Sequence, residues 1–219
     1  MNIKHHPSED LIISYSAGDL GEAWSLLIAT HLALCPSCRY TSDLADTTGG
    51  ALMETLEPQS LSPDLMSKTM SAVTTPGKKS SNISEGPCTS GIPNFPEPLR
   101  SYAGGDIDNL NWRRLGGDAF HIPLVKSSGG QIARLLKIPS GKAVPEHGHN
   151  GMELTMVLCG SFKDGYIQFS RGDVETASSK TTHQPIATIG EDCICLAVTD
   201  ARLKFKSPLA RLVQPFLDI

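Results

Sequence analysis

A chain of 219 residues with 39% hydrophobic and 19% charged residues has the composition of a globular protein, with room for one large domain or two modest ones. Its formal net charge is −4, but residues 1–75 carry three Lys or Arg against nine Asp or Glu, a net charge of −6. Because phosphate contacts need a basic surface, this acidic part argues against direct nucleic-acid binding and favours a basic partner.

The sequence shows no secretion signal and no membrane-spanning segment, so we expect a cytoplasmic protein without a membrane partner. The richest apolar segment, Trp24–Leu34, is interrupted by Ser25, Thr30 and His31 and is too short to span a bilayer. The six cysteines do not have the spacings of a small disulfide-stapled scaffold. Free thiols and metal ligands are therefore the expected roles of these cysteines.

The first 75 residues are predicted to be helical. Apolar blocks at Leu11–Tyr15 and Trp24–Leu34 are separated by glycines, which punctuate helices. A third helix is predicted over Arg39–Met53, and a fourth begins near Ser62-Pro63, with serine as N-cap and proline at the first helical position. These elements predict a small all-α domain over residues 1–75.

The fourth predicted helix bears an apolar stripe. Met66, Met70 and Val73 follow the i, i+4, i+7 spacing of one helix face. Packing into a core is the favoured interpretation of such a stripe. A partner-binding face is the alternative, because flexible methionine side chains adapt to grooves.

A metal-binding pattern, His31-x3-Cys35-x2-Cys38, begins in the second predicted helix. A helix would place His31 and Cys35 on one face, and the short cysteine spacing suits two thiolates on one ion. Three ligands do not close a structural zinc site, so a fourth must come from elsewhere, with His5 and His6 as the candidates. A redox-active cysteine pair is the alternative, but that motif belongs in a βαβ context.

The pattern changes after a segment rich in proline and glycine. Residues 76–98 contain five prolines and three glycines and are predicted to be a linker. From residue 99 to 219, short runs of Val, Ile and Leu alternate with turn residues, which predicts an all-β sandwich or barrel. The predicted strands are His121–Val125, Ile132–Ile138, Leu154–Leu158, Tyr166–Phe169, Ile186–Ile189, Cys193–Val198 and Leu203–Phe205.

A second metal-binding pattern lies in this β-rich part. His147 and His149 are two residues apart, so an extended strand points both to one side, and Glu153 follows at a further even offset. Three converging nitrogen and oxygen donors in a small barrel make a metal site. The spacing Gly141-x5-His147-x-His149-x3-Glu153-x6-Gly160 resembles the first conserved motif of the cupin superfamily.

A cupin normally adds one more histidine from a second motif. His183 is the only candidate downstream, so it is assigned by elimination and by resemblance. The match of this second motif is loose, because the usual Pro-x-Gly before the histidine and the Asn after it are missing. His121 is left without a role.

The combination of a helical His/Cys motif with a cupin resembles the ChrR-type zinc-binding anti-sigma factors over nearly the whole chain. The resemblance is carried by Lys4-His5-His6, Ala29–Cys35, Gly50–Glu54, Glu191–Cys195 and Val213–Phe216. It implies an α + β two-domain protein, with a small all-α zinc-binding anti-sigma domain followed by an all-β cupin, a double-stranded β-helix barrel.

The resemblance also implies a function. The chain would bind a group 4 (extracytoplasmic-function) sigma factor one-to-one and block its access to RNA polymerase and promoter DNA. Structural Zn²⁺ would be held by His6, His31, Cys35 and Cys38. A second divalent ion, expected to be Zn²⁺, would be held by His147, His149, Glu153 and His183, and the cupin would be needed for sigma release in response to singlet oxygen or organic peroxide.

Two other functions compete with this one. The cupin ligand set permits iron chemistry, so the chain could be a metal-dependent dioxygenase-type oxidoreductase with an N-terminal zinc domain. A metal-store or structural interaction protein without a sigma partner is the third possibility. Against the enzyme, the sequence offers no recognisable set of substrate-orienting or acid–base groups.

Overall fold

The computed structural model describes residues 3–74, 95–107, 110–116, 118–127, 130–201 and 203–205. Contacts divide the chain into two compact units, one formed by Met1–Thr47 with Pro93–Ile219 and the other by Thr48–Ile92. The first helices therefore share a unit with the β-rich part. Val213–Phe216, which contributes to the family resemblance, lies outside the described residues.

Helices occupy most of the described N-terminal part, as predicted. Proline stands at the first position of the third helix, where its missing N–H costs nothing, and Cys35 ends the second helix. A fifth helix, which the sequence analysis did not predict, begins directly after Pro96. The helices are α1 (Glu9–Ser16), α2 (Glu22–Leu34), α3 (Pro36–Glu54), α4 (Leu65–Thr74) and α5 (Glu97–Ala103).

The described residues of the β-rich part form three antiparallel sheets. Their strand orders are β1-β2-β3-β11-β5-β8, β10-β6-β7 and β12-β4-β9. Every strand predicted from the sequence is present, with β3 and β12 at the predicted residues. The strands are β1 (Arg113–Gly116), β2 (Ala119–Lys126), β3 (Ile132–Ile138), β4 (His147–His149), β5 (Glu153–Cys159), β6 (Ser161–Asp164), β7 (Ile167–Ser170), β8 (Val174–Ala177), β9 (Thr182–His183), β10 (Ile186–Ala187), β11 (Cys193–Thr199) and β12 (Leu203–Phe205).

Gly160 connects β5 to β6 in a turn that only glycine fits well. Its φ is +65°, a conformation that L side chains rarely adopt. An added Cβ would also stand 2.5 Å from the backbone oxygen of Asp192. The last glycine of the cupin-like spacing is therefore required by the turn itself.

Helix α2 is the main link between the helices and the sheets. It is apolar on all sides, and a helix of that kind is stable only when it is covered on all sides. One core cluster contains Leu27 and Ile28 of α2 together with Leu135 of β3 and Leu196 of β11. The buried residues of α2 are Ala23, Trp24, Leu26, Leu27, Ile28, Thr30, His31 and Leu32.

The contact-based units differ from the predicted ranges 1–75, 76–98 and 99–219, because residues 1–47 pack with the β-rich part. The division into a helical domain, a linker and a cupin-like domain at those bounds stays a prediction. Residues 75–94 of the predicted linker lie outside the described part of the chain.

The apolar stripe of α4 does not pack into a core. Met66 is 73% exposed, Met70 53% and Val73 75%. The favoured interpretation of this stripe as core packing is therefore wrong, and the alternative of a partner-binding face is left.

Within the described residues, no helix combines the length and the apolar character that crossing a bilayer requires.

Candidate metal centres

Four predicted ligands come together at the end of α2 and the start of α3. The ligand atoms of His6, His31, Cys35 and Cys38 all lie within 4.8 Å of one another. His6 Nδ1 is 3.3 Å from Cys38 Sγ and 3.4 Å from Cys35 Sγ, and His31 Nε2 is 3.3 Å from Cys38 Sγ. The structure thus brings together the Cys2His2 set expected from the sequence.

These separations fit a single tetrahedral ion. Ligand atoms at about 2.0–2.3 Å from such an ion stand about 3.3–3.8 Å apart. His6, not His5, completes the set, because the His5 ring packs against Phe169 with ring centroids 4.7 Å apart. The structure therefore groups His6, and not His5, with the other three side chains.

The electrostatics of this cluster also suit a metal ion. Burial lowers the pKa of His31 to about 4, so that its imidazole is neutral at neutral pH. Burial and the neighbouring Cys35 raise the pKa of Cys38 to about 12. Two sulfur atoms this close are poorly accommodated as anions without a cation, and a metal ion supplies the compensating charge.

Three histidines converge in the β-rich part. His149 Nε2 and His147 Nε2 lie 3.1 Å and 3.2 Å from His183 Nε2. Strand pairing explains this, because β4 pairs with β9 and His147 stands opposite His183. All three side chains are buried, and the separations fit donors on one ion.

The second ring nitrogens of these histidines face acceptors. His147 Nδ1 donates to the Pro145 carbonyl oxygen at 2.9 Å, and His183 Nδ1 donates to Asp164 Oδ2 at 3.0 Å. A carbonyl or carboxylate can only accept, so each Nδ1 carries the hydrogen and each Nε2 offers its lone pair. This is the usual arrangement around metal-bound histidines.

Burial and nearby carboxylates shift the pKa values of His149 and His183 in opposite directions. Burial, then repulsion from the other two rings, lowers the pKa of His149 to about 4. Burial alone would lower the pKa of His183, but the carboxylates of Glu175 and Asp164 outweigh it and raise that pKa.

Glu153 lies next to the three histidines, but it contacts the Nδ1 side of the His149 ring and not its Nε2. Its Oε2 is 3.4 Å from His149 Nδ1, and its Oε1 accepts a hydrogen bond from Thr155 at 2.9 Å. Burial raises the pKa of Glu153 to about 7. The structure therefore groups the three predicted histidines around one point and places the predicted carboxylate at their edge.

Asp164 and Glu175 belong to this centre, although sequence reasoning missed them. Their carboxylates and His183 form a group whose ligand atoms lie within 4.8 Å of one another. Asp164 also lines an open surface groove with His183, Lys163 and Thr182, so this side of the centre faces solvent. An Asp at a strand end and a Glu within a strand carry no motif spacing that would have singled them out.

Two further cysteines lie close together on β11. Cys193 Sγ and Cys195 Sγ are 3.6 Å apart, and both residues are buried. The neighbouring Cys193 and burial raise the pKa of the Cys195 thiol well above its usual range. None of the five cysteines in the described part of the chain forms a disulfide.

Known proteins match both halves of this arrangement. A family model described as the ChrR cupin-like domain matches residues 101–202. The anti-sigma-E factor ChrR of Cereibacter sphaeroides is 44% identical over 219 residues, and the match covers 100% of both chains. A chain of the crystal structure of Rhodobacter sphaeroides SigE in complex with the anti-sigma ChrR matches with a TM-score of 0.77 and 42% identity, over 90% of this chain and 99% of that chain.

These matches confirm the predicted fold class, a helical N-terminal region with a Cys/His cluster followed by a cupin-like β domain. Both relatives are named as an anti-sigma factor, which is a regulator and not an enzyme. The chain belongs to the ChrR family of anti-sigma factors.

Proposed function

We propose that this chain binds a group 4 extracytoplasmic-function sigma factor one-to-one in the cytoplasm and keeps it from RNA polymerase and promoter DNA. The observation that carries this proposal is the 44% identity to an anti-sigma factor over the full length of both chains. The match to a chain solved in complex with SigE supports it. In this role the chain regulates transcription and catalyses no reaction.

The surface of the chain suits such a partner. The net charge of −6 over residues 1–75 lets the helices attract a basic DNA-binding protein and compete with DNA for it. The exposed Met66, Met70 and Val73 of α4 add an apolar face that a partner can cover.

The direct test is co-expression with the sigma factor encoded beside this gene. We expect a one-to-one complex on size-exclusion chromatography and inhibition of sigma-dependent transcription in vitro. The same chain mixed with an unrelated housekeeping sigma factor is the control. Failure to bind or inhibit any group 4 sigma factor would overturn the proposal.

The N-terminal cluster is proposed to hold structural Zn²⁺ through His6, His31, Cys35 and Cys38. Two thiolates and two imidazoles that are close enough to surround one ion tetrahedrally favour zinc, and they leave no open position for a substrate. These ligands would connect the segment before α1 to the end of α2 and the start of α3 through the ion. Its binding energy therefore stabilises the helices that are proposed to bind the sigma factor.

Adjacent histidines give a matched pair of variants for this site. His6→Ala is expected to lose zinc from the cluster, because His6 Nδ1 is within 3.4 Å of both sulfur atoms. His5→Ala should keep it, because the His5 ring contacts Phe169 instead. Zinc content of the purified proteins is the measurement, and loss of zinc from His5→Ala alone would contradict the ligand assignment.

The cupin is proposed to hold a second divalent ion, Zn²⁺, through His147, His149 and His183, with Glu153 as fourth ligand. The support for the three histidines is their converging Nε2 atoms. Glu153 is kept as fourth ligand on the cupin-like spacing, since its Oε2 contacts His149 Nδ1 and not the converging atoms. We propose that this centre is required for sigma release in response to singlet oxygen or organic peroxide. The groove beside His183 gives small oxidants a route to it.

Asp164 provides a test of this second centre through a residue that is not one of the proposed ligands. Asp164→Asn is expected to weaken metal binding about tenfold, because it removes the charge that fixes the orientation and tautomer of His183. Asp118→Asn is the control, since Asp118 pairs with Lys142 on the surface. Competition with a chelator measures the affinity, and equal values for the two variants would contradict the role of Asp164.

A further inference from the structure

A buried carboxylate of the β-rich part holds the backbone of the N-terminal segment that supplies His6. Asp173 Oδ1 accepts hydrogen bonds from the backbone N–H groups of Lys4 at 2.7 Å and His5 at 2.9 Å. The Asp173 residue is only 3% exposed, although it is charged. A buried carboxylate is stable only when hydrogen bonds compensate its lost hydration, and these two N–H groups contribute to that compensation.

The other carboxylate oxygen fixes Asp173 in its own turn. Asp173 Oδ2 accepts a hydrogen bond from the Ser170 N–H at 2.8 Å. Next to it, Val174 N–H donates to the His5 carbonyl oxygen at 3.0 Å. The residues flanking the start of β8 therefore hold His5 through both its N–H and its C=O, directly before the proposed ligand His6.

The same turn also contacts a second proposed ligand. His31 Nδ1 donates to the Gly172 carbonyl oxygen at 3.0 Å, with the ring fully buried. This bond fixes the hydrogen on Nδ1 and leaves Nε2 free to face Cys38. Residues Gly172–Val174 thus determine the position of His6 through the backbone and the orientation of His31 through its ring.

We propose that Asp173, a residue of the cupin domain, is a positioning residue for the N-terminal zinc site. Through Asp173 and Gly172 the cupin forms the outer shell of an ion whose ligands all come from the first 38 residues. Outer-shell partners of this kind contribute about 10- to 100-fold to metal affinity. Ordering an unrestrained segment costs conformational entropy, so holding His5 in advance lowers the cost of placing His6 on the ion.

The inference rests on the proposed zinc site, and cobalt substitution tests both. The metal-free full chain is titrated with Co²⁺, and the thiolate-to-cobalt absorption reports the cluster that contains Cys35 and Cys38. Displacement by Zn²⁺ then gives the zinc affinity. The Cys38→Ala chain serves as the blank, and a wild-type chain without this absorption would refute the proposed zinc site itself.

Asp173→Asn is expected to lower the zinc affinity of this cluster at least about tenfold, because an amide cannot accept the hydrogen bonds made by both oxygens of Asp173. Asp192→Asn is the matched control. Asp192 also accepts a long-range backbone N–H, from Ser140, but no described contact of Asp192 reaches Lys4–His6 or His31. The control should leave the affinity unchanged.

Asp173→Glu keeps the charge and both acceptor oxygens, so it should weaken binding less than Asp173→Asn. It also carries the test if the asparagine variant does not fold, as judged by circular dichroism. If Asp173 only stabilises its own turn, its variants should unfold at a lower temperature, and their cobalt spectrum and zinc affinity should be unchanged. Wild-type affinity in the folded Asp173 variants would overturn the inference.

Discussion

Replacing Cys38 with alanine is expected to empty the N-terminal zinc site and to free the sigma factor permanently. Cys38 Sγ lies 3.3 Å from the nearest nitrogen of both His6 and His31, so it is central to the ligand set. Structural zinc contributes about 10–16 kcal/mol in small zinc-dependent domains at neutral pH, far more than the loss of one buried side chain. The start of α3 should lose its order and its connection to His6, whereas the backbone of Lys4 and His5 stays bound to Asp173.

Two measurements check this expectation. Zinc content should fall by one ion per chain, and a sigma-dependent reporter should become constitutively active. Cys159→Ala is the control, because Cys159 is a free thiol outside both metal centres. A Cys38→Ala chain that still inhibits the sigma factor would show that zinc is dispensable for inhibition.

Replacing His147 and Glu153 together with alanine is expected to have the opposite phenotype. Inhibition at rest should persist, because neither residue belongs to the N-terminal cluster or to a helix. The response to singlet oxygen or organic peroxide should be lost along with the metal of the cupin. The variant should therefore keep the reporter silent both with and without the oxidant.

The control for this double variant is His121→Ala, which removes a histidine of the β-rich part outside the converging three. It should release the sigma factor normally under stress. Because α2 shares a core cluster with β3 and β11, circular dichroism must show that the double variant is folded. If a folded double variant fails to inhibit at rest, the proposed division of labour between the two centres is wrong.

Much of this architecture could be predicted from local patterns. Short apolar runs bounded by turn residues predicted β3 and β12 at their observed bounds. The two-residue spacing of His147 and His149 predicted that both side chains lie on the same side of a strand. Each of these signals lies within a few residues of the feature that it predicts.

The missed features depend on contacts between distant parts of the chain. Strand β9 has two residues, too few for a periodic pattern. Asp173 and Lys4 are 169 positions apart, and nothing near an aspartate in a turn distinguishes an acceptor for the N-terminal segment from an ordinary turn former. The exposure of α4 was missed for a related reason, because an apolar stripe is the same in sequence whether or not a neighbour covers it.

The burial of α2 has a consequence for the dynamics of the chain. Amide hydrogens exchange with solvent at rates set by the smallest cooperative opening that exposes them. Helix α2 shares a core cluster with β3 and β11. Its amide hydrogens should therefore exchange with solvent only in openings that also expose the amides of these central strands. The exposed α4 should exchange quickly, so the chain joins a slowly opening helix that carries His31 to a rapidly opening helix that carries the apolar stripe.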